Sequence, residues 1–437
     1  MFLKISGLVV FIKLFLFWLW LWQLKEYHTG RFRAHFETQK VKKIFSSFWR
    51  LKYPKFTGKV AVIFLIGTLL AICWIFSDFS LILLIVLAPF FCSLLVLLIQ
   101  IPVVFWRKTI IAKATRKRER SKNLLVIGLV GSYGKTSTKE FLAAILSEKF
   151  KVLKTAGHQN SEIGISRCIL NDLKPEHEIF VCEMGAYNKG GIKLLCNIAQ
   201  PKIGIITGVN EQHLATFGNM ENLLSAEGGE ELIESLPQDG LAFFNAKNEY
   251  CLNLYHRAKI KKILYGENVK LAGLENIEGA KAVARQLGMA EEEIEKACGK
   301  IGNKFPGIEI KKGVNGLNII DATYSANPTG VIAHLEYLKV WPGKKVIIMP
   351  CLIELAGASA EIHRKIGKKI NEVCDLAIIT TKDRFKEIKE EAGEKAVFLE
   401  GAKEIFGKIR DFCQAGDVVL LESRVAEELT KLLIKDK

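Results

Sequence analysis

Residues 131–138, Gly131-Ser132-Tyr133-Gly134-Lys135-Thr136-Ser137-Thr138, constrain this chain more than any other stretch. A strand-like apolar run, Leu124 to Val130, precedes them, and a helical pattern from Lys139 to Phe150 follows. Strand, glycine loop and helix in that order make a phosphate-binding loop. Glycines let the backbone close on a polyphosphate, and the helix N-terminus turns its free N–H groups toward the oxygens. Lys135 is placed to meet the outer phosphates, and Thr136 to hold a magnesium ion. The spacing departs from the general Walker pattern, whose first glycine would fall on Leu129. A helix cap with two chance glycines is the bland alternative, and the flanking strand and helix weigh against it.

From Asn123 onward short apolar runs alternate with amphipathic stretches. Strands are expected at Leu124 to Val130, Lys151 to Thr155, Ile179 to Glu183, Ile203 to Thr207, Leu241 to Asn245 and Lys262 to Tyr265. With helices between them, the alternation predicts a mostly parallel sheet covered on both faces. Helical patterns over Asn276 to Leu287 and Glu291 to Ile301 lead to Phe305-Pro306-Gly307, whose breakers mark a domain boundary. A second α/β series then runs through Leu317 to Asp321, Val346 to Met349, Leu376 to Thr380 and Val418 to Leu421.

The first 122 residues have a different character. Ile5 to Trp22 is an apolar run interrupted by Lys13 and closed by Trp18, Trp20 and Trp22, which suit an interfacial belt. A signal peptide is the rival reading, but no small-residue cleavage site follows. Val60 to Phe76 and Leu81 to Trp106 are almost continuously apolar and are separated only by Ser77-Asp78-Phe79-Ser80, so they read as a transmembrane hairpin.

Charge sets the expected orientation. The 437 residues carry a net +16, of which residues 23–59 hold +8 (ten Lys/Arg against two Glu) and residues 107–122 hold +7 (eight against one). Lys and Arg crowd the hairpin's outer flanks and avoid its tip, which puts the tip outside, the N-terminus outside and the bulk of the chain on the cytoplasmic side of the inner membrane. The basic excess matches anionic lipid head groups and requires no nucleic-acid partner. Residues 23–59, with Phe32, Phe36, Phe45, Phe48 and Trp49 among the cations, read either as a segment lying on the inner surface or as a solvated loop. The ten cysteines are scattered without a Cys-x-x-Cys pair, so they read as reduced, mostly buried thiols.

Further signatures follow the loop in order: Glu183-Met184-Gly185-Ala186 at a strand end, Asn210-Glu211-Gln212-His213-Leu214 with Phe217-Gly218, and Asp321-Ala322-Thr323-Tyr324-Ser325-Ala326-Asn327-Pro328. Together they resemble the Mur ligases over about residues 123–437, on the branch that adds D-alanyl-D-alanine to the UDP-muramoyl tripeptide of peptidoglycan. The apolar runs put N-terminal membrane helices in residues 1–122, and the resemblance implies a P-loop parallel-sheet ATP-binding domain in 123–304 and a Rossmann-like α/β domain in 305–437. It also implies an ATP- and Mg2+-dependent amide ligase, in which a peptide carboxylate is activated as an acyl phosphate and attacked by an amine. Catalytic roles fall to Lys135, Glu183 and His213, and metal contacts to Thr136, Glu183 and His213. The nucleotide would meet Gly131, Ser132, Gly134, Lys135, Thr136, Ser137, Asn276, Tyr324 and Asn327, with closure of the last domain completing the site. Taken singly, Glu183 and His213 could equally be structural.

Departures from the family pattern are expected to matter. A lysine, often carbamylated, stands after the family's His-Leu motif and helps hold the second magnesium; the alignment puts Gly229 there, with Glu227 as a candidate substitute. Ile308 replaces the hinge arginine, Ala322 replaces a second aspartate, and Gly266 to Gly273 replaces a longer stretch, which trims the central sheet. Membrane helices stand where the family has its UDP-sugar domain, so a UDP-linked and a lipid-linked muramoyl peptide are both open as substrates.

Two functional readings remain. One is a membrane-anchored peptidoglycan-precursor ligase acting on a muramoyl peptide and an amino acid or dipeptide such as D-Ala-D-Ala. The other is a catalytically silent nucleotide-binding relative that scaffolds cell-wall enzymes at the membrane. A transport ATPase is disfavoured, because the spans bear no charged pathway beyond Lys13.

Overall fold

Strand β1 (Leu125–Val130) is the axis of the first sheet, and every residue in it except Leu125 is buried. The computed structural model describes residues 2–25, 27, 32, 51–77, 80–157, 159–269, 273–301, 308–323 and 326–434. It divides into two units, Met1–Ile110 and Ile111–Lys437.

In the larger unit, β1 is joined by β2 (Val152–Lys154), β3 (Ile179–Glu183), β4 (Ile203–Ile206), β5 (Leu241–Asn245) and β6 (Lys261–Tyr265), in the order β2-β3-β1-β4-β5-β6. All neighbours pair in parallel. A parallel sheet is buried on both faces, which is why its strands read as nearly unbroken apolar runs. Alternation within β1 serves both faces: Val126 and Val130 enter one apolar cluster, Ile127 and Leu129 the other. The helices Lys135–Leu146, Glu275–Gln286 and Glu291–Ile301 cover the second face through Phe141, Ala280 and Ile294. Chain order reverses at β1, and ligands bind outside the carboxyl ends of strands at such a reversal.

The first helix after the loop begins at Lys135, four residues before the sequence pattern suggested, because Gly134 takes the N-cap with φ +80. The helix Gly191–Ala199 is closed at both ends from far along the chain. The buried Glu231 carboxylate accepts from Gly190 N at 2.6 Å and Lys193 N at 2.9 Å. The Arg118 guanidinium donates to Ala199 O at 2.9 Å and Gln200 O at 3.4 Å, and also to Ser121 O and Leu124 O. An anion at the N-terminus and a cation at the C-terminus both oppose the helix dipole.

The second sheet runs β11-β10-β9-β12-β8-β7: β11 (Ala396–Phe398), β10 (Leu376–Ile379), β9 (Lys345–Met349), β12 (Val418–Glu422), β8 (Asn318–Ala322) and β7 (Glu309–Lys312). Only β7 is antiparallel. Neither edge strand was anticipated: β11 is three residues long, and β7 reads Glu-Ile-Lys-Lys.

The smaller unit contains the helices Phe2–Leu24 and Gly58–Ile75 and most of Leu81–Arg120. All three are long and apolar enough to cross a membrane. Phe11, Phe15, Leu19, Ile63, Ala71, Ala88 and Cys92 pack together, and Trp22 Nε1 donates to Ser93 Oγ at 3.0 Å. A Cβ on Gly67 would collide with the Phe15 ring, so this glycine permits close helix approach. Phe90, Leu94, Ile101 and Phe105 point outward and are exposed. The third helix continues past the expected Trp106 to Arg120. Most of residues 23–59, including Phe36, Phe45, Phe48 and Trp49, and the Phe305-Pro306-Gly307 hinge lie outside the described residues.

Candidate active site

The loop Gly131 to Gly134 closes over the carboxyl end of β1. Gly131 has φ +144, and a Cβ there would lie 2.8 Å from Gly208 O, so the backbone passes where no side chain fits. Ser132 N donates to Gly208 O at 2.7 Å, tying the loop to the end of β4. Lys135 Nζ donates back to Gly131 O, which holds the ammonium over the loop's concave side. Ser137 follows on the first turn of the helix, partly buried.

Glu183, the last residue of β3, is brought to Thr136. The Thr136 hydroxyl lies 3.1 Å from both carboxylate oxygens, Asn160 Nδ2 donates at 3.3 Å, and Glu183 is only 4% exposed. The sequence reading missed the residue that balances this carboxylate: Lys139, fully buried, with Nζ 3.1 Å from Glu183 Oε2. Its signal was a lysine one turn after Lys135 on the helix's buried face.

His213 sits on the loop after β4 with φ +69, and its Nδ1 lies 3.0 Å from Glu227 Oε1. Glu227 is 3% exposed, and its Oε2 finds no hydrogen-bond partner among the described residues. Burial alone would raise this carboxyl, but the neighbouring His213, Lys135 and Ser132 hold it below the ordinary carboxylate value.

The other expected nucleotide contacts are placed differently. Asn276 lies under Gly134 of the loop: its Oδ1 accepts from Thr138 Oγ1 at 3.2 Å and its Nδ2 donates to Gly273 O at 3.1 Å, so its amide ties the helix after the loop to its own N-terminal turn. Asn327 caps the helix Pro328–Leu338 by accepting from Gly330 N at 2.8 Å, so the Asn327-Pro328 pair is also a helix-start signal. Asn210 Nδ2 reaches Thr329 Oγ1 at 2.8 Å and Asn327 Oδ1 at 3.4 Å, and Ala215 N donates to Glu354 O at 3.0 Å. These bonds join the His213 loop to the second sheet's domain. Tyr324 lies outside the described residues.

The departures resolve in geometry. Gly229 does not face the site: it has φ +96, and a Cβ there would lie 2.7 Å from Ile206 Cγ1 and 3.3 Å from Val130 Cγ2, inside the core. The side chain beside His213 comes from Glu227, two residues earlier, the candidate substitute named above. Ala322 is buried in the second domain's apolar cluster, and Ile308 packs against the same cluster. The acid next to position 322 is the half-buried Asp321, which accepts from Thr323 Oγ1 at 2.7 Å and Lys311 Nζ at 2.7 Å. Although burial pushes its carboxyl up, those partners hold it below the ordinary value.

This arrangement fits ATP and magnesium. The glycine positions leave room for phosphates beside the helix N-terminus, and a hydroxyl and a carboxylate stand together as hard oxygen donors. No group of three or more His, Cys, Asp or Glu side chains able to hold a metal occurs among the described residues.

Comparison with known proteins agrees with the geometry. Residues 129–298 match the Mur ligase middle domain, and residues 308–424 match the Mur ligase, glutamate ligase domain. The UDP-N-acetylmuramoyl-tripeptide--D-alanyl-D-alanine ligase of Bacillus subtilis is 28% identical over 352 residues, covering 71% of this chain and 76% of that protein. The enzyme of that name from Synechocystis is 30% identical over 278 residues, covering 56% of this chain and 59% of the relative. Among solved structures, MurF ligase from Thermotoga maritima in complex with ADP aligns with TM-score 0.62 and 26% identity, covering 75% of this chain and 83% of that one. MurF from Acinetobacter baumannii has the same fold, with TM-score 0.66 at 23% identity over 75% and 80% of the two chains. By its middle and glutamate ligase domains, this chain belongs to the Mur ligase family.

Proposed function

We propose that this chain is a membrane-anchored, ATP-dependent amide ligase that joins an amino acid or dipeptide such as D-Ala-D-Ala to a muramoyl-peptide carboxylate. The observation that carries the reading is Glu183 held between Thr136 and the buried Lys139, at the mouth of a glycine loop that carries Lys135. Mg2+ bound with ATP would supply charge neutralisation, with Thr136, Glu183 and His213 as its protein contacts. Lys135 would stabilise negative charge on the transferring phosphoryl group, which is where most catalysis of this class arises. The chain reads as three parts, a membrane region, a nucleotide domain and a closing domain. The bonds from Asn210 to Thr329 and from Ala215 to Glu354 support direct coupling of the last two.

Anchoring at the inner membrane is supported by the outward apolar faces of the three helices and by the flanking cations. The acceptor would then be UDP-linked or lipid-linked, and tethering raises local concentration beside other cell-wall enzymes. One observation favours the silent-scaffold reading: positions 308 and 322 bring only hydrocarbon into an apolar cluster.

The test is full-length protein in detergent with ATP, Mg2+, D-Ala-D-Ala and either UDP-muramoyl tripeptide or its lipid-linked counterpart. Mass spectrometry should detect a new amide and one ADP per product. ATP binding without ligation of either acceptor would favour the scaffold instead.

A further inference from the structure

We infer that His334, oriented by the buried Glu422, is the base that takes a proton from the attacking amine; this deepens the proposed function and rests on it. Three observations carry the inference. First, Glu422 is 1% exposed, its Oε2 lies 2.6 Å from His334 Nδ1, and its Oε1 accepts from Ser423 Oγ at 3.2 Å. Among the described residues His334 is its one ion-pair partner, so no fixed cation neutralises the carboxylate. With Nδ1–H donated to Glu422, the lone pair sits on Nε2, which has no partner among the described residues. A carboxylate so placed fixes the tautomer and compensates the charge that appears on the ring when Nε2 takes up a proton.

Second, packing does not account for the pair. Val418 and Leu420 enter one apolar cluster with Val331, Leu335 and Leu338 of the helix Pro328–Leu338, and Glu422 continues the same face of β12. Hydrocarbon would serve stability there at least as well as a buried ion pair. Ser423, fully buried, follows with φ +61, a backbone strain of the kind that collects at functional sites. Third, β12 lies between β8 and β9 in its sheet. The segment after β8 meets Asn210 through Thr329 at 2.8 Å, and the loop after β9 accepts from Ala215 N at Glu354 O at 3.0 Å. Asn210 and Ala215 bracket His213, so Glu422 ends the strand that lies between the two contacts of this domain with the His213 loop.

An amino group arrives at neutral pH largely as ammonium and cannot attack until it loses a proton. His334 Nε2 accepts that proton, the freed electron pair forms the C–N bond, and the acyl C–O bond breaks with its pair going to phosphate. Of the two protons the nitrogen loses, the first rests on His334 and the second leaves with the phosphate.

The experiment supplies full-length protein with ATP, Mg2+ and either muramoyl acceptor, and with saturating D-Ala-D-Ala or hydroxylamine as the nucleophile at pH 7.5. Hydroxylamine is already neutral there and traps the activated carboxylate as a hydroxamate without a base. His334→Gln should lower kcat for the amide about a hundredfold and leave hydroxamate formation within about twofold of wild type. Glu422→Gln, which keeps an acceptor for Nδ1–H but removes the charge, should fall between the two on the amide arm and match wild type on the other. Should His334→Gln not fold, Glu422→Gln carries the same comparison. Wild-type amide formation in the variants, an equal loss on both arms, or a change in KM alone would overturn the base and leave the ligase reading standing. Wild-type protein that formed neither product would remove the ligase reading and the base together.

Discussion

The Lys139 ammonium, wholly inaccessible to solvent, lies 3.1 Å from the Glu183 carboxylate at the mouth of the phosphate loop. Two opposite charges withdrawn from water hold each other in place, with Glu140 Oε1 a second partner of the ammonium at 3.4 Å, and removing the lysine leaves a buried carboxylate without its cation. Lys139→Met should therefore cost about 3 kcal/mol of stability. The double variant Lys139→Met/Glu183→Gln should cost less than the sum of the single changes. Denaturant unfolding of the four proteins forms the cycle, and strict additivity would show that the pair is not coupled.

Lys135 differs because its ammonium is only partly buried and donates to a loop carbonyl rather than to a carboxylate. Lys135→Ala should lower ATP turnover about a thousandfold with little change in melting temperature. A release assay for phosphate, paired with a thermal melt, checks both halves. Turnover near wild type would remove the phosphate assignment.

In the second domain, His363 is fully buried, accepts from Leu352 N at Nε2 (2.9 Å) and meets Ser359 O at Nδ1 (2.6 Å). Burial holds its pKa below the ordinary 6.5. The unfolded chain therefore takes up a proton first as pH falls. The folded domain is unpenalised above 6.5 and loses stability as pH drops from there through the lowered folded value. His363→Gln should flatten that acid limb in a series of melts between pH 7.5 and 5. An unchanged limb would assign the acid sensitivity to other groups.

Restoring family-like residues at the departures should not help. Lysine at 229 would enter the Ile206–Val130 contact from a left-handed backbone, and aspartate at 322 would bury a charge among Ile320, Val331 and Ile347. Each change should cost about 3 kcal/mol or more, visible as lower soluble yield and melting temperature. Improved ligation by Gly229→Lys would contradict the inward placement of Glu227.

The six strands of the first sheet and the four inner strands of the second were legible, though not their order, because parallel strands buried on two faces leave continuous apolar runs, and the loop was legible because its glycines and Lys135 are adjacent in sequence. What escaped depends on contacts far apart in the chain. Arg118 and Glu231 close the same helix from positions that no periodicity links. The pairing of Lys139 with Glu183 spans two elements, and a break in the helix before Gly228-Gly229 hid which residue of that segment turns inward. Edge strand β7 is half polar because one side is open, so it carried no strand signal.

The central claim is that a carboxylate is activated through phosphoryl transfer on this loop. It is tested most directly by supplying UDP-muramoyl tripeptide or its lipid-linked counterpart with 18O in the acceptor carboxylate, together with ATP, Mg2+ and D-Ala-D-Ala, and weighing the phosphate released. The account predicts one 18O atom in each phosphate formed with product in the wild type, and neither product nor label with Lys135→Ala. Amide product accompanied by unlabelled phosphate would contradict it.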